Sequence, residues 1–231
     1  MTFTKISVLV PTRKRVDRLK KMIASFDRTT SGRAELIFRI DHDDCETREY
    51  LQEVPWRLKG GVFRGNRLDG YKSTPQFLKD MLPLANGDVL MVGNDDMIFE
   101  TEAWDKLILR AANNFPDGLF NLGVETLNTP HYPFSIVSRK VVDLLGFMYD
   151  PRIFWGDIYL RDIMAHFGRT VLLPEVRILH DWAGLGIPDA TFQEANHLKM
   201  SIGTPTYWET HRQVVSEAIS KLQAAIVGVA V

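Results

Sequence analysis

Three short apolar runs, each separated from the next by helix-spaced residues, limit this chain to few folds. Residues 5–11 read KISVLVP, residues 35–41 read ELIFRID and residues 88–93 read DVLMVG. After the first run, Val16, Leu19, Ile23 and Phe26 recur at helical spacing with basic residues between them. A short charged helix is expected over 46–53. Residues 60–71, GGVFRGNRLDGY, read as a short strand and a glycine-rich loop. Ser73-Thr74-Pro75 then opens a helix carrying Phe77, Leu78, Met81 and Leu82, which stops near Asn86-Gly87. Repeats of this kind predict an α/β fold with a mostly parallel central sheet flanked by helices. Ligands of such sheets bind at the carboxyl ends of the strands. Those ends are Pro11-Thr12-Arg13, Asp41-His42-Asp43-Asp44 and Asn94-Asp95-Asp96.

The second half is less regular. Helices are expected over 102–113 and 157–167, strands over 118–124, 133–138 and 169–179, and two C-terminal helices near 190–200 and 207–226. No repeat or linker divides the 231 residues, so one domain is expected, with a nucleotide-binding half over about 1–100 and a second half over 101–231. Twenty-eight Lys and Arg against 29 Asp and Glu leave a formal net charge of −1. That balance gives no global pull toward nucleic acid or anionic lipid. A single cysteine, Cys45, excludes an intramolecular disulfide and a multi-cysteine zinc site. With no leader-like segment and no apolar run of about 18 residues, the expectation is a cytoplasmic protein without a transmembrane segment.

Five clusters bear on chemistry. In the first, a buried apolar strand ends abruptly in Asn94-Asp95-Asp96, oxygen ligands that suit Mg²⁺ or Mn²⁺ unless the turn is merely solvated. Asp41-His42-Asp43-Asp44 ends the second run, where Asp44 or Thr47 can serve as a helix cap and a carboxylate can accept the imide N–H of a uracil. Pro11-Thr12-Arg13-Lys14-Arg15 places cations beside both, suited to a diphosphate or to solvating a first helical turn. Asp157, in Trp155-Gly156-Asp157-Ile158-Tyr159, sits at a helix start, where the dipole keeps a carboxylate ionised. A general base must be ionised and within reach of a hydroxyl, although an ordinary first-turn charge looks the same. Finally, His180 ends the last strand-like run and could join Asp96 on a metal; His131 and His166 have no such context.

Taken together, in order from residue 5 to residue 182, these segments resemble the nucleotide-diphospho-sugar glycosyltransferases of the GT-A fold, and family 2 in particular. KISVLVPTRKRVDRL resembles the first strand and basic helix start of that family, ELIFRIDHDD the base-contacting strand, and NGDVLMVGNDDMIF the strand leading to an Asp-X-Asp motif. Asn94 stands where the first Asp of that motif is usual, and Gly156 where a Glu precedes the catalytic Asp. The resemblance implies a smaller acceptor-side sheet region, C-terminal helices and a Mn²⁺ or Mg²⁺ cofactor. It implies a nucleotide-sugar donor, UDP-linked by preference, and a glycan or small-molecule acceptor; a homodimer is a further candidate. By the same resemblance Asp96 and His180 would hold the metal. Pro11, Thr12, Arg13, Arg15, Asp41 (with Asp43 as the alternative), Lys72, Asn94 and Asp95 would bind the nucleotide. Asp157 would be the base of an inverting transfer, and Trp155, Tyr159, Trp182 and Tyr132 would offer faces to sugars or pack in the core. Two other readings remain: a catalytically silent binding domain, suggested by Asn94 and Gly156, and a sugar-phosphate nucleotidyltransferase, disfavoured because PTRKR has no glycine.

Overall fold

The computed structural model describes residues 1–68, 73–126, 133–180, 197 and 204–227. Strands β1 (Ile6–Pro11), β2 (Ala34–Asp41), β3 (Lys59–Gly65) and β4 (Val89–Val92) are joined through helices α1 (Val16–Thr29), α2 (Cys45–Glu53) and α3 (Ser73–Met81), the last continued by one 3₁₀ turn. The four strands pair in parallel in the order β3-β2-β1-β4. The sheet then changes direction. β7 (Ile136–Ser138) runs antiparallel to β4, and β6 (Asn121–Glu125) antiparallel to β7. β8 (Thr170–His180) lies parallel to β6 over its first residues and antiparallel to the short β5 (Met97–Phe99) over its last.

Side-chain alternation sends the residues of the central strands β1, β2 and β4 into two cores, one on each face. Val8 and Val10 of β1, Phe38 and Ile40 of β2 and Met91 of β4 point into one core with Leu19, Met22 and Phe26 of α1. α4 (Trp104–Ala112) closes that side, where Phe26, Phe99 and Trp104 meet with ring centroids 4.7–5.7 Å apart. Leu9, Ile37, Leu90 and Val92 face the other core with Leu78 and Met81 of α3. The same core takes in α5 (Arg139–Leu145), α6 (Gly156–His166) and α7 (Pro205–Val227).

Two elements go beyond the sequence expectation. α5 is a seven-residue helix capped by Ser138, whose hydroxyl accepts from the N–H of Val141, and β5 is a three-residue strand. The helix expected near 190–200 falls, apart from His197, outside the described residues. Among the described residues no helix is long and apolar enough to cross a membrane.

The turn between α1 and β2 is tied by a buried carboxylate. Asp105 accepts from the N–H groups of Ser31 and Arg33 at 2.9–3.0 Å and from Thr30 Oγ1 at 2.8 Å. Burial opposes its ionisation, but those donors outweigh it and hold its carboxyl below the usual range. Asp105→Ala would leave the amides unpaired. We expect a loss of about 2–4 kcal/mol in urea unfolding. Because the folded-state pKa is lowered, the difference from wild type should be full above the ordinary carboxylate range and shrink as pH falls below it.

Candidate active site

The first four strands deliver their carboxyl ends to one edge, and the loops there interlock. Lys14 takes a left-handed backbone, φ 50°, that turns the chain between β1 and α1. Its N–H donates to Asp44 Oδ2 at 2.7 Å, while Asp44 Oδ1 caps α2 by accepting from Thr47 N–H. The N–H of Thr12, just past Pro11, donates to the Arg39 carbonyl, and that of His42 to the Gly65 carbonyl. Gly93 ends β4 where a side chain cannot fit: a Cβ there would come within 2.7 Å of Val8.

On the β2 side, Asp41 is 3% exposed and held by arginines. Arg13 Nη1 donates to its Oδ2 at 2.7 Å and Arg39 Nη1 to its Oδ1, while Arg67 Nη1 stands 4.0 Å away. Arg13 also grips Asp43 with both terminal nitrogens, at 2.5 and 2.9 Å. That grip pulls the exposed Asp43 carboxyl down to about 2. Arg39, 2% exposed, donates to the Asn66 carbonyl and lies 3.9 Å over the Phe77 ring of α3. Sequence reading missed Arg39. The available signal was its place two residues before Asp41, on the same face of the strand.

At the end of β4, Asp95 and Asp96 are 4% and 6% exposed. Thr12 Oγ1 donates to Asp95 Oδ2 at 2.8 Å and Arg15 Nη1 to Asp95 Oδ1 at 3.3 Å. Burial still pushes the Asp95 carboxyl up, against the pull of Arg15 and Thr12. Burial also works against ionised Asp96, but His180, Arg15 and Arg18 prevail and hold it below its ordinary value. His180 Nε2 lies 3.3 Å from Asp96 Oδ1 and 3.2 Å from Asn94 Nδ2. Arg18 Nη1, another residue the sequence did not single out, lies 3.6 Å from Asp96 Oδ2.

This donor set fits a divalent cation. Asp96 Oδ1 is shielded from solvent, has no hydrogen-bond partner of good geometry among the described residues, and faces an imidazole nitrogen. A carboxylate with an imidazole suits Mn²⁺ better than the oxygen-preferring Mg²⁺. Among the described residues no group of three or more His, Cys, Asp and Glu is assembled for a metal, so the remaining positions would fall to Asn94, water or ligand oxygens.

Asp157 and Trp155 form a second group at the start of α6. Among the described residues, Asp157 makes no hydrogen bond or ion pair with the strand-end cluster. Desolvation raises its carboxyl to about 6, opposed by the backbone N–H groups of Ile158 and of Asp157 itself. Tyr149 and Tyr207 feel its charge. Gly156 lies against the face of Tyr149: a Cβ would stand 2.0 Å from the ring. A glycine is therefore a packing requirement at this position. Trp155 is half-buried, edge-on to Phe154 at 4.9 Å. Tyr159 shows the core-packing alternative. It is wholly buried, packed toward Phe147, and has no face for a sugar. Lys72, Tyr132 and Trp182 lie outside the described residues.

The fold is that of known glycosyltransferases. It is similar to the mannosyltransferase PcManGT from Pyrobaculum calidifontis in complex with GDP-Man and Mn²⁺, with a TM-score of 0.64 and 13% identity over 99% of this chain and 75% of that one. It is also similar to TarS 1-349 from S. aureus in complex with UDP, with a TM-score of 0.56 and 13% identity over 76% of this chain and 60% of that one. Against TarS without that truncation the TM-score is 0.56 at 12% identity, and this chain spans 43% of its length. No family model and no curated protein sequence matches the chain.

Proposed function

We propose that this chain transfers a glycosyl group from a nucleoside-diphosphate sugar, UDP-linked by preference, to an acceptor hydroxyl with inversion. The observation that carries this reading is the meeting of Asp41, Asp95, Asp96 and His180 with Arg13, Arg15 and Arg18 at the carboxyl edge of a GT-A-like sheet.

The residues divide the work by charge. Asp41, oriented by Arg13 and Arg39, is an acceptor for the imide N–H of a uracil. Asp96 and His180 would hold a divalent cation, which when bound offsets charge on the leaving diphosphate. Arg15 steadies Asp95 beside it, and Thr12 fixes the rotamer of that carboxylate. Asp157 would take the acceptor hydroxyl's proton. A carboxyl raised to about 6 suits this role: it is roughly nine-tenths ionised at pH 7 yet more basic than an ordinary aspartate.

Calorimetric titration with UDP and GDP, each with and without Mn²⁺, tests the donor reading. The expected result is binding of UDP that strengthens with Mn²⁺ and is lost in Asp96→Ala. Binding of GDP alone would change the base and keep the reaction class. Binding of neither would remove the proposal.

A further inference from the structure

Arg15 is the N-cap residue of α1 and Arg18 lies in its first turn, three residues on, and both reach the same acidic turn after β4. Arg15 reaches Asp95 at 3.3 Å, within hydrogen-bonding range, but Arg18 Nη1 stops 3.6 Å from Asp96 Oδ2, too far for a hydrogen bond. This Nη1 is shielded from solvent and donates to nothing among the described residues. The other arginines of the edge are engaged differently. Arg13 is spread over Asp41 and Asp43, and Arg39 is fixed by Asp41, the Asn66 carbonyl and the Phe77 ring. Arg18 thus combines a charge beside the turn with a donor that no described residue uses. Its carboxylate neighbour is also the residue best placed for a divalent cation. A divalent cation held at Asp96 Oδ1 would repel the guanidinium beside Oδ2, which favours turning Arg18 toward an anion. A guanidinium presents a planar fork of donors matched to phosphate oxygens.

We propose that Arg18 is a further donor-binding residue, which leaves Asp96 to hydrogen-bond the diphosphate of the nucleotide sugar. This rests on the donor reading above and assigns a phosphate contact to α1, outside the strand-end motifs. Arg18 then has two opposite effects: it competes with a cation for Asp96, and it attracts the diphosphate.

The experiment separates these effects in the full chain. Mn²⁺ binding without nucleotide is followed by the electron paramagnetic resonance signal of the free ion. UDP, GDP and the corresponding monophosphates are titrated with Mn²⁺ by calorimetry. Arg18→Gln is expected to bind Mn²⁺ alone about threefold more tightly or better, because a competing charge is gone. The same variant should bind the diphosphate about tenfold more weakly or worse, with a smaller loss for the monophosphate. Unchanged diphosphate binding in a folded Arg18→Gln overturns the inference and leaves Arg18 as a neutralising partner of Asp96. If Arg18→Gln does not fold, Arg18→Lys decides. It keeps the charge and loses the fork, so a reduced preference for diphosphate over monophosphate supports the inference and an unchanged preference overturns it. Wild-type protein that binds neither diphosphate removes the donor reading, and this inference with it.

Discussion

Asp157→Asn is expected to lower turnover by roughly 10²–10⁴-fold, the usual contribution of a positioned general base, while nucleotide binding stays within about twofold. The substitution preserves shape and removes only proton affinity. Release of nucleoside diphosphate from UDP-sugars, with water or glycans as acceptor, gives the rate, and calorimetry gives the binding. A parallel fall in both would make Asp157 a structural residue. The pH profile adds an independent sign. Burial raises the group, so the base is protonated and inactive below its pKa. The acid limb of kcat/KM, which reports the free enzyme, should therefore bend near pH 6 in wild type and vanish in Asp157→Asn. An acid limb near pH 4 would mean that the carboxyl doing the work is an ordinary exposed one.

The second large effect concerns stability. Gly156→Ala places a Cβ 2.0–2.5 Å from three atoms of the Tyr149 ring. The ring cannot retreat easily: Tyr149 is 6% exposed, sits in the core shared by α5, α6 and α7, and reaches Ser135 Oγ with its hydroxyl at 3.3 Å. The expected cost is about 3 kcal/mol or more in urea unfolding, at the upper end for overpacking. Gly156→Glu, with a larger side chain at the same point, should cost more still. A double-mutant cycle identifies the cause. Tyr149→Ala alone opens a cavity and destabilises, but Gly156→Ala in that background should be close to neutral, a coupling expected only for residues in contact. Additive effects would show that Gly156 is required for some other reason.

What could be read beforehand depended on whether a feature was local. The periodicity of Val16, Leu19, Ile23 and Phe26 located α1, and the apolar runs located β1, β2 and β4, because each pattern repeats within its own element. The cap of α2 was legible for the same reason as one of Asp44 and Thr47, and Asp44 fills it. β5 and α5 were not: three and seven residues are too few to show a period against neighbouring loops. At the site, the acidic strand ends could be named because parallel sheets bind ligands there. Their partners could not. Arg39 reads as one polar interruption in a strand and Arg18 as one more charge on a basic helix face; only the sheet and α1 docking place them on Asp41 and Asp96. Tyr159 shows the converse. An aromatic near a candidate base invites a stacking role, but its position on α6 turns it into the core.

The pairing of β5 with β8 has a consequence for how such a site changes over time. Asn94 and His180 are 86 residues apart, yet the ladder sets Met97 opposite His180 and Phe99 opposite Ile178. Side chains alternate along a strand, so adding or deleting one residue between Arg177 and His180 would send the imidazole to the opposite face of the sheet. Exchanging Leu179 for another apolar residue would not. What this ladder guards is chain length rather than spelling. Drift in the letters of β8 is affordable where a single-codon insertion is not, and lineages descended from this chain should accumulate their gaps in the loops and leave the count from Val176 to His180 intact.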